Sequence, residues 1–213
     1  MTKTYIAIEK EAKKYFKHND SSHGWDHTER VFALCLKIGK TEKANLKVLK
    51  IAALLHDIGR GEEFKSKGVV CHAQRGADLA RQILEKYKFP EKDIEVIVQC
   101  IAAHRFRGKN VPSSIEAKIL FDADKLDSIG AIGIGRDFLF AGRIGAKLYN
   151  DKFIVKDTKA YTKEDTAYRE YAVKLKYVKN RMLTSEGKSI AQERHRFMKE
   201  FFERMKKEVK GTL

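Results

Sequence analysis

The chain has 213 residues, 43% of them apolar, and a formal charge of +15 from 44 Lys and Arg against 29 Asp and Glu. That content supports one folded domain over residues 1–213, and the scarcity of proline, two in all, favours helix over sheet. Cys35, Cys71 and Cys100 form neither a CxxC zinc pattern nor a disulfide framework, which fits a reducing, cytoplasmic setting, and no apolar run approaches the ~18 residues of a membrane span.

In chain order, Met1 to His18 reads as a helix with Ile6, Ala7, Ala12 and Phe16 on one side, stopped by the polar cluster His18–Gly24. Asp26 is placed to cap the next helix, with Glu29 three positions on as in a capping box. That helix carries His27 in its first turn and continues through Val31, Leu34, Cys35 and Ile38. Leu46 to Asp57 is an apolar helix that ends in His56 and Asp57, and Gly59 to Gly68 reads as a charged loop. Two helices follow, from His72 to Tyr87 and from Pro90 to His104. A basic loop, Arg105 to Ser114, leads to a cap at Ser113 or Ser114 and a helix holding Asp122, Asp124 and Asp127.

The glycines of the run from Gly130 to Arg136 meet neither the Rossmann nor the P-loop spacing and read as helix-packing positions. Lys147 to Thr166 is polar, a lid or a surface excursion. Ala167 to Leu183 and Ser189 to Val209 read as two amphipathic helices around Thr184–Gly187, a pair over 167–209 that completes the core. Their expected facing residues are Val173, Leu175, Tyr177, Val178 and Met182 against Ile190, Phe197, Phe201 and Met205.

Placing histidine and aspartate in apolar helices costs several kcal/mol unless the groups are paired or hold a metal. A single His-Asp pair is often merely structural. Imidazole together with carboxylate suits Mn, Ni, Co, Zn or Fe better than a thiolate-loving ion, with Mg also tolerated. The positive balance draws anions. With no arginine run interleaved with aromatics, a dedicated nucleic-acid surface is disfavoured.

The order Trp25-Asp26-His27, Leu54-Leu55-His56-Asp57-Ile58 and Asp122-Ala123-Asp124-Lys125-Leu126-Asp127, with the late run from Ala191 to Met198, resembles the HD-domain metal-dependent phosphohydrolase superfamily in its small stand-alone bacterial and archaeal members. The resemblance implies an all-α, single-domain HD-type helical bundle with a metal site between helices. It implies His27, His56, Asp57 and Asp124 as metal ligands, one ion being favoured over two. His72 and His104 would then steady the phosphate, or complete a second ion as in six-ligand relatives. Asp57 would serve as both ligand and base, and Arg60, Lys125 and Arg136 would face the substrate. Some relatives place a catalytic acid four residues after the histidine of the pair. Arg60 stands there, with Glu62 a loose substitute.

The implied reaction is hydrolysis of a nucleotide or another small phosphate ester or anhydride, with no membrane partner; a homodimer is compatible with it. The alternatives are a di-iron oxygenase of the same superfamily acting on a small anionic substrate, and a non-catalytic module binding a nucleotide or RNA.

Overall fold

Every regular element among the described residues (3–16, 24–105, 110–150 and 155–213 of the computed structural model) is helical. The chain divides into two compact units, Met1–Asp124 and Lys125–Leu213.

In the first unit, α1 (Lys3–Lys13) ends in a 3-10 turn to Phe16. Its buried stripe is Ile8, Ala12 and Phe16, spaced by four, while Ile6 is exposed. α2 (Trp25–Thr41) starts at Gly24 without a side-chain cap. The expected capping box does not form, because Asp26 takes an ion pair from Arg30 at 2.7 Å and Glu29 accepts from Trp25 Nε1 at 2.8 Å. α3 (Leu46–Leu55) is capped by Asn45, whose side chain accepts from the backbone N–H of Lys47 and Val48. It stops at Leu55, so His56 and Asp57 lie just past its last helical residue rather than inside it.

The stretch expected as a charged loop contains a short helix, α4 (Arg60–Lys65). α5 (His72–Lys86) and α6 (Glu91–Ala103) follow as expected and pack on each other. α7 (Ile115–Leu126) is capped by Ser114, whose hydroxyl accepts from Ala117 N at 3.1 Å. Its first turn is tied to the α2–α3 connection by Asn45 N donating to Glu116 at 2.9 Å. α2 packs on α3, and α3 on α6, so the helices that carry or precede the histidines share one apolar core.

The second unit holds α8 (Gly130–Arg143), α9 (Ala167–Val173), a 3-10 helix over Leu175–Arg181 and α10 (Ser185–Val209). The first of the two expected C-terminal helices is therefore broken at Lys174, where the backbone leaves helical geometry (φ −137°, ψ −56°). Thr184 starts α10 earlier than expected, its hydroxyl accepting from Gly187 N. The buried side of α10 is Ile190, Ala191, Met198 and Phe202, with Phe197 exposed. Ile190 is buried as expected, but Met198 and Phe202 take the places expected of Phe197 and Phe201, a shift of one residue or about 100° over that part of the helix.

Of the glycine run, only Gly130 meets another helix, at a positive φ of 80° against the Arg194 side chain of α10. Gly133 closes on the Ser128 carbonyl and Gly135 faces open space. The polar stretch expected as a lid is stitched to itself by Lys147 N to the Lys163 carbonyl at 3.0 Å and Asn150 Nδ2 to the Glu164 carbonyl at 3.1 Å. Its residues 151–154, and 106–109 of the basic loop, lie outside the described residues. Among those described, no helix is long and apolar enough to cross a membrane.

Candidate metal centre

Six side chains from separate parts of the first unit converge in its core. His27 enters from the first turn of α2, and His56 and Asp57 from the end of α3. His72 opens α5, His104 follows α6, and Asp124 comes from the last part of α7. All six are buried, Asp124 the least so at 9% exposure. They fall into two groups of three, each able to offer one ligand atom to an ion: His27, His56 and Asp124, and Asp57, His72 and His104.

Asp57 joins the groups. Its Oδ2 lies 3.6 Å from Nε2 of both His27 and His56, while its Oδ1 lies 3.4 Å from His104 Nε2 and 3.7 Å from His72 Nε2. His27 Nε2 is 3.3 Å from both His56 Nε2 and Asp124 Oδ1.

Backbone contacts set the tautomers. His56 Nδ1 donates to the Ala53 carbonyl at 2.8 Å and His104 Nδ1 to the Ile101 carbonyl at 2.6 Å. A carbonyl can only accept, so in the neutral ring the proton sits on Nδ1 and Nε2 presents a lone pair. Burial pushes the His56 pKa down to about 4 and that of His72 to about 2, so both rings are neutral at pH 7. Burial alone would raise the Asp57 pKa, but the Arg60 guanidinium beside it outweighs that and holds the carboxyl well below the usual range.

These lone pairs and carboxylate oxygens approach at 3.3–3.7 Å, mostly too far for good hydrogen bonds. Atoms bonded at about 2.1 Å to one tetrahedral or octahedral cation lie roughly 3.0–3.4 Å apart. The donor set therefore fits divalent metal, and its all-N/O character agrees with Mn, Ni, Co, Zn or Fe.

A second layer surrounds the six. Arg60 Nε donates to Asp57 Oδ2 at 2.6 Å, so this expected substrate residue stands directly at the centre. Glu63 Oε2 accepts from His72 Nδ1 at 2.8 Å, and its Oε1 faces Arg105 Nη2 at 3.1 Å. Glu63 has no expected role in the sequence. The acid that the sequence offers there, Glu62, pairs instead with Arg75 at 2.7 Å. The only sequence signal for Glu63 was an acid a short turn after the His-Asp pair.

Asp124, rather than Asp122 or Asp127, meets the histidines. Lys125 and Arg136 belong to the second unit, where Arg136 Nη1 donates to Asp127 Oδ2 at 2.6 Å. Cys35 and Cys100 are buried as expected, but Cys71 is only partly buried and accepts from Arg105 Nη1 at 3.2 Å.

Gly59 and Gly76 bring the ligand-bearing segments into backbone contact. A Cβ on Gly59 would lie 2.3 Å from the His72 carbonyl oxygen and 2.7 Å from Gly76 N, and one on Gly76 would lie 3.2 Å from the His56 carbonyl oxygen.

Residues 24–129, which span all six side chains, match the HD domain family. The chain is 33% identical over 195 residues to YpgQ of Bacillus subtilis, covering 90% of this chain and 86% of that protein. It belongs to the HD-domain family, and its fold is that of the HD-superfamily hydrolases. Among solved structures, Bacillus subtilis YpgQ in complex with ADP superposes with a TM-score of 0.75 at 29% identity, covering 97% of this chain and 95% of that one. An HD-superfamily hydrolase from Bacillus thuringiensis gives a TM-score of 0.76 at 28% identity, covering 97% and 96%. Ribonuclease Y of Borrelia garinii is 32% identical over 114 residues, 54% of this chain but 20% of that protein.

Proposed function

We propose that the chain is a metal-dependent phosphohydrolase that cleaves a nucleotide or another small phosphate ester or anhydride. The observation that carries this reading is the buried box of four imidazoles and two carboxylates, bridged by Asp57, with Arg60 against it. A relative similar over nearly its whole length was crystallised with ADP, which supports a nucleotide as the substrate class.

A bound divalent ion supplies Lewis acidity toward a phosphoryl oxygen and a water of lowered pKa. His27, His56, Asp57 and Asp124 would hold it. Asp57 is kept ionised at neutral pH and can also accept a proton. Arg60, the first residue of α4, would exchange its contact with Asp57 for one with substrate phosphate, where charge develops in the transition state. Glu63 fixes the ring of His72 and so aims its Nε2 at Asp57. The grouping into two sets of three supports a second ion on Asp57, His72 and His104.

The test is a turnover screen of the metal-loaded protein across nucleoside mono-, di- and triphosphates, with elemental analysis of bound metal. His56→Ala and Asp124→Ala are each expected to lower turnover by at least about 10³-fold, within the range metal chemistry contributes, while the helical circular dichroism spectrum persists. Unchanged turnover in both variants refutes the assignment. The carboxylate-bridged pair of groups also suits a di-iron oxygenase. Oxygen uptake by iron-loaded protein, without phosphate release, selects that reading.

A further inference from the structure

The second unit contains a cavity of about 470 Å³ walled by α9, the 3-10 helix over Leu175–Arg181 and α10. None of the six metal-site side chains lines it. Its volume falls in the roughly 300–1,000 Å³ range of small-ligand sites, and its chemistry is uneven in an informative way.

The 3-10 winding is the first cause. At three residues per turn, positions three apart stand directly above one another. Lys176 and Lys179 therefore form one column, and Tyr177 and Asn180 the next; all four line the cavity. An α-helix over the same residues would turn each pair apart by about 60°. The break at Lys174 that converts α9 into this tighter helix thus also builds the wall.

Tyr177 leaves nearly half of its surface exposed, at 48%, although it stands in a sequence stripe that would otherwise bury it. Behind it the aromatic floor is fixed: Tyr171 stacks on Phe202 with ring centroids 4.7 Å apart. Lys206 lies 4.6 Å from the Tyr168 ring centre. From α10 come Lys199 and His195. The His195 Nδ1 atom is buried and has no hydrogen-bond partner among the described residues, so it is an unsatisfied polar group at the cavity wall. Four lysines line the cavity against one carboxylate, Glu203, which sits 3.8 Å from Lys199.

Aromatic faces favour a planar ring, clustered lysines favour phosphate, and a lone buried nitrogen favours a polar edge. We propose that this cavity binds a nucleoside phosphate. Lys176 Nζ stands 4.9 Å from the Tyr177 ring centre; the base takes its place against that ring as Lys176 turns with Lys179 to the phosphates, and His195 Nδ1 makes a hydrogen bond to the ligand. The lining is confined to one patch of α9, the 3-10 helix and α10, which matches the size of a mononucleotide better than the length of an RNA strand. The site stands independently of any hydrolysis at the metal centre.

The test uses the full chain carrying His56→Ala, with EDTA present, titrated calorimetrically with ADP. One saturable site is expected. Adding Lys176→Glu and Lys179→Glu should weaken it at least about tenfold, and ribose 5-phosphate should bind more weakly than ADP. If the glutamate pair unfolds the protein by circular dichroism, Lys176→Gln with Lys179→Gln provides the same comparison. No binding in the His56→Ala protein, or equal affinity in the lysine variants, overturns the proposal. So does an oligoadenylate that outcompetes ADP by far more than its count of nucleotides, which assigns the face to RNA. A concentration-dependent dimer in sedimentation that the lysine substitutions abolish assigns it to a second copy of this chain and also overturns the proposal.

Discussion

Asp57 differs from its five neighbours in having each oxygen directed at a different set of imidazoles, so its carboxylate sets the spacing of the whole centre. Glu63 does for His72 what backbone carbonyls do for His56 and His104, holding Nδ1 so that Nε2 faces inward. Glu63→Gln keeps the shape but removes the charge. Partners of this kind are worth about 10- to 100-fold in metal affinity, so a loss of that size is expected when Mn is titrated against a chromophoric chelator, with the helical spectrum unchanged. An unaltered Mn affinity would show that Glu63 does not act on the ion.

The six converging side chains stand out in the sequence because polar groups ending apolar helices contrast with their surroundings, while their assignment as ligands comes from the family resemblance. Glu63 does not stand out. Glu62 and Glu63 are adjacent, and only the phase of α4 decides which turns toward His72 and which toward Arg75. That phase was invisible where the sequence was read as a loop.

Helix α8 carries a different kind of cost. Asp137 is partly buried, and its Oδ2 is fully buried and accepts no hydrogen bond among the described residues. Burial raises its pKa well above the usual carboxylate value. Glu170 adds to the rise, and Lys174 and Arg136 only partly oppose it. An acid whose folded pKa lies above its unfolded value of about 3.9 binds more protons when folded. Its favourable contribution is complete below about pH 4 and declines as pH climbs through the raised pKa. Asp137→Asn should therefore be more stable than the parent at pH 8, by about 1 kcal/mol. The gain should shrink toward pH 4, as read from urea midpoints at the two pH values. A variant less stable than the parent at pH 8 contradicts this.

At the scale of elements, the helices of the first unit other than α4 follow from their apolar periodicity. The C-terminal ones do not, because a one-residue shift in α10 and a 3-10 segment after α9 both preserve an amphipathic pattern while turning it. Asp26 misled for a related reason: its side chain prefers Arg30 over the helix start.

For the molecule as a whole, all six converging side chains lie in the unit that ends at Asp124. An ion that binds only the folded form stabilises it by about 2.7 kcal/mol at a hundred times its dissociation constant. At roughly 2–4 °C per kcal/mol for a chain of this size, Mn at that excess should raise Tm by about 5–10 °C in differential scanning fluorimetry. No rise is expected in the Asp124→Ala protein, and an equal rise there would place the ion elsewhere.

The contact between Gly59 and Gly76 has a bearing on how such a centre can change. Main chain rests on main chain there, with no side chain interposed. Rotamer changes can retune the rim of the site, but the interval between its two halves is a property of the polypeptide track. A lineage seeking a wider or narrower pair of cation positions would have to re-thread that crossing, so variation should accumulate in the outer residues while the gauge between the halves stays constant.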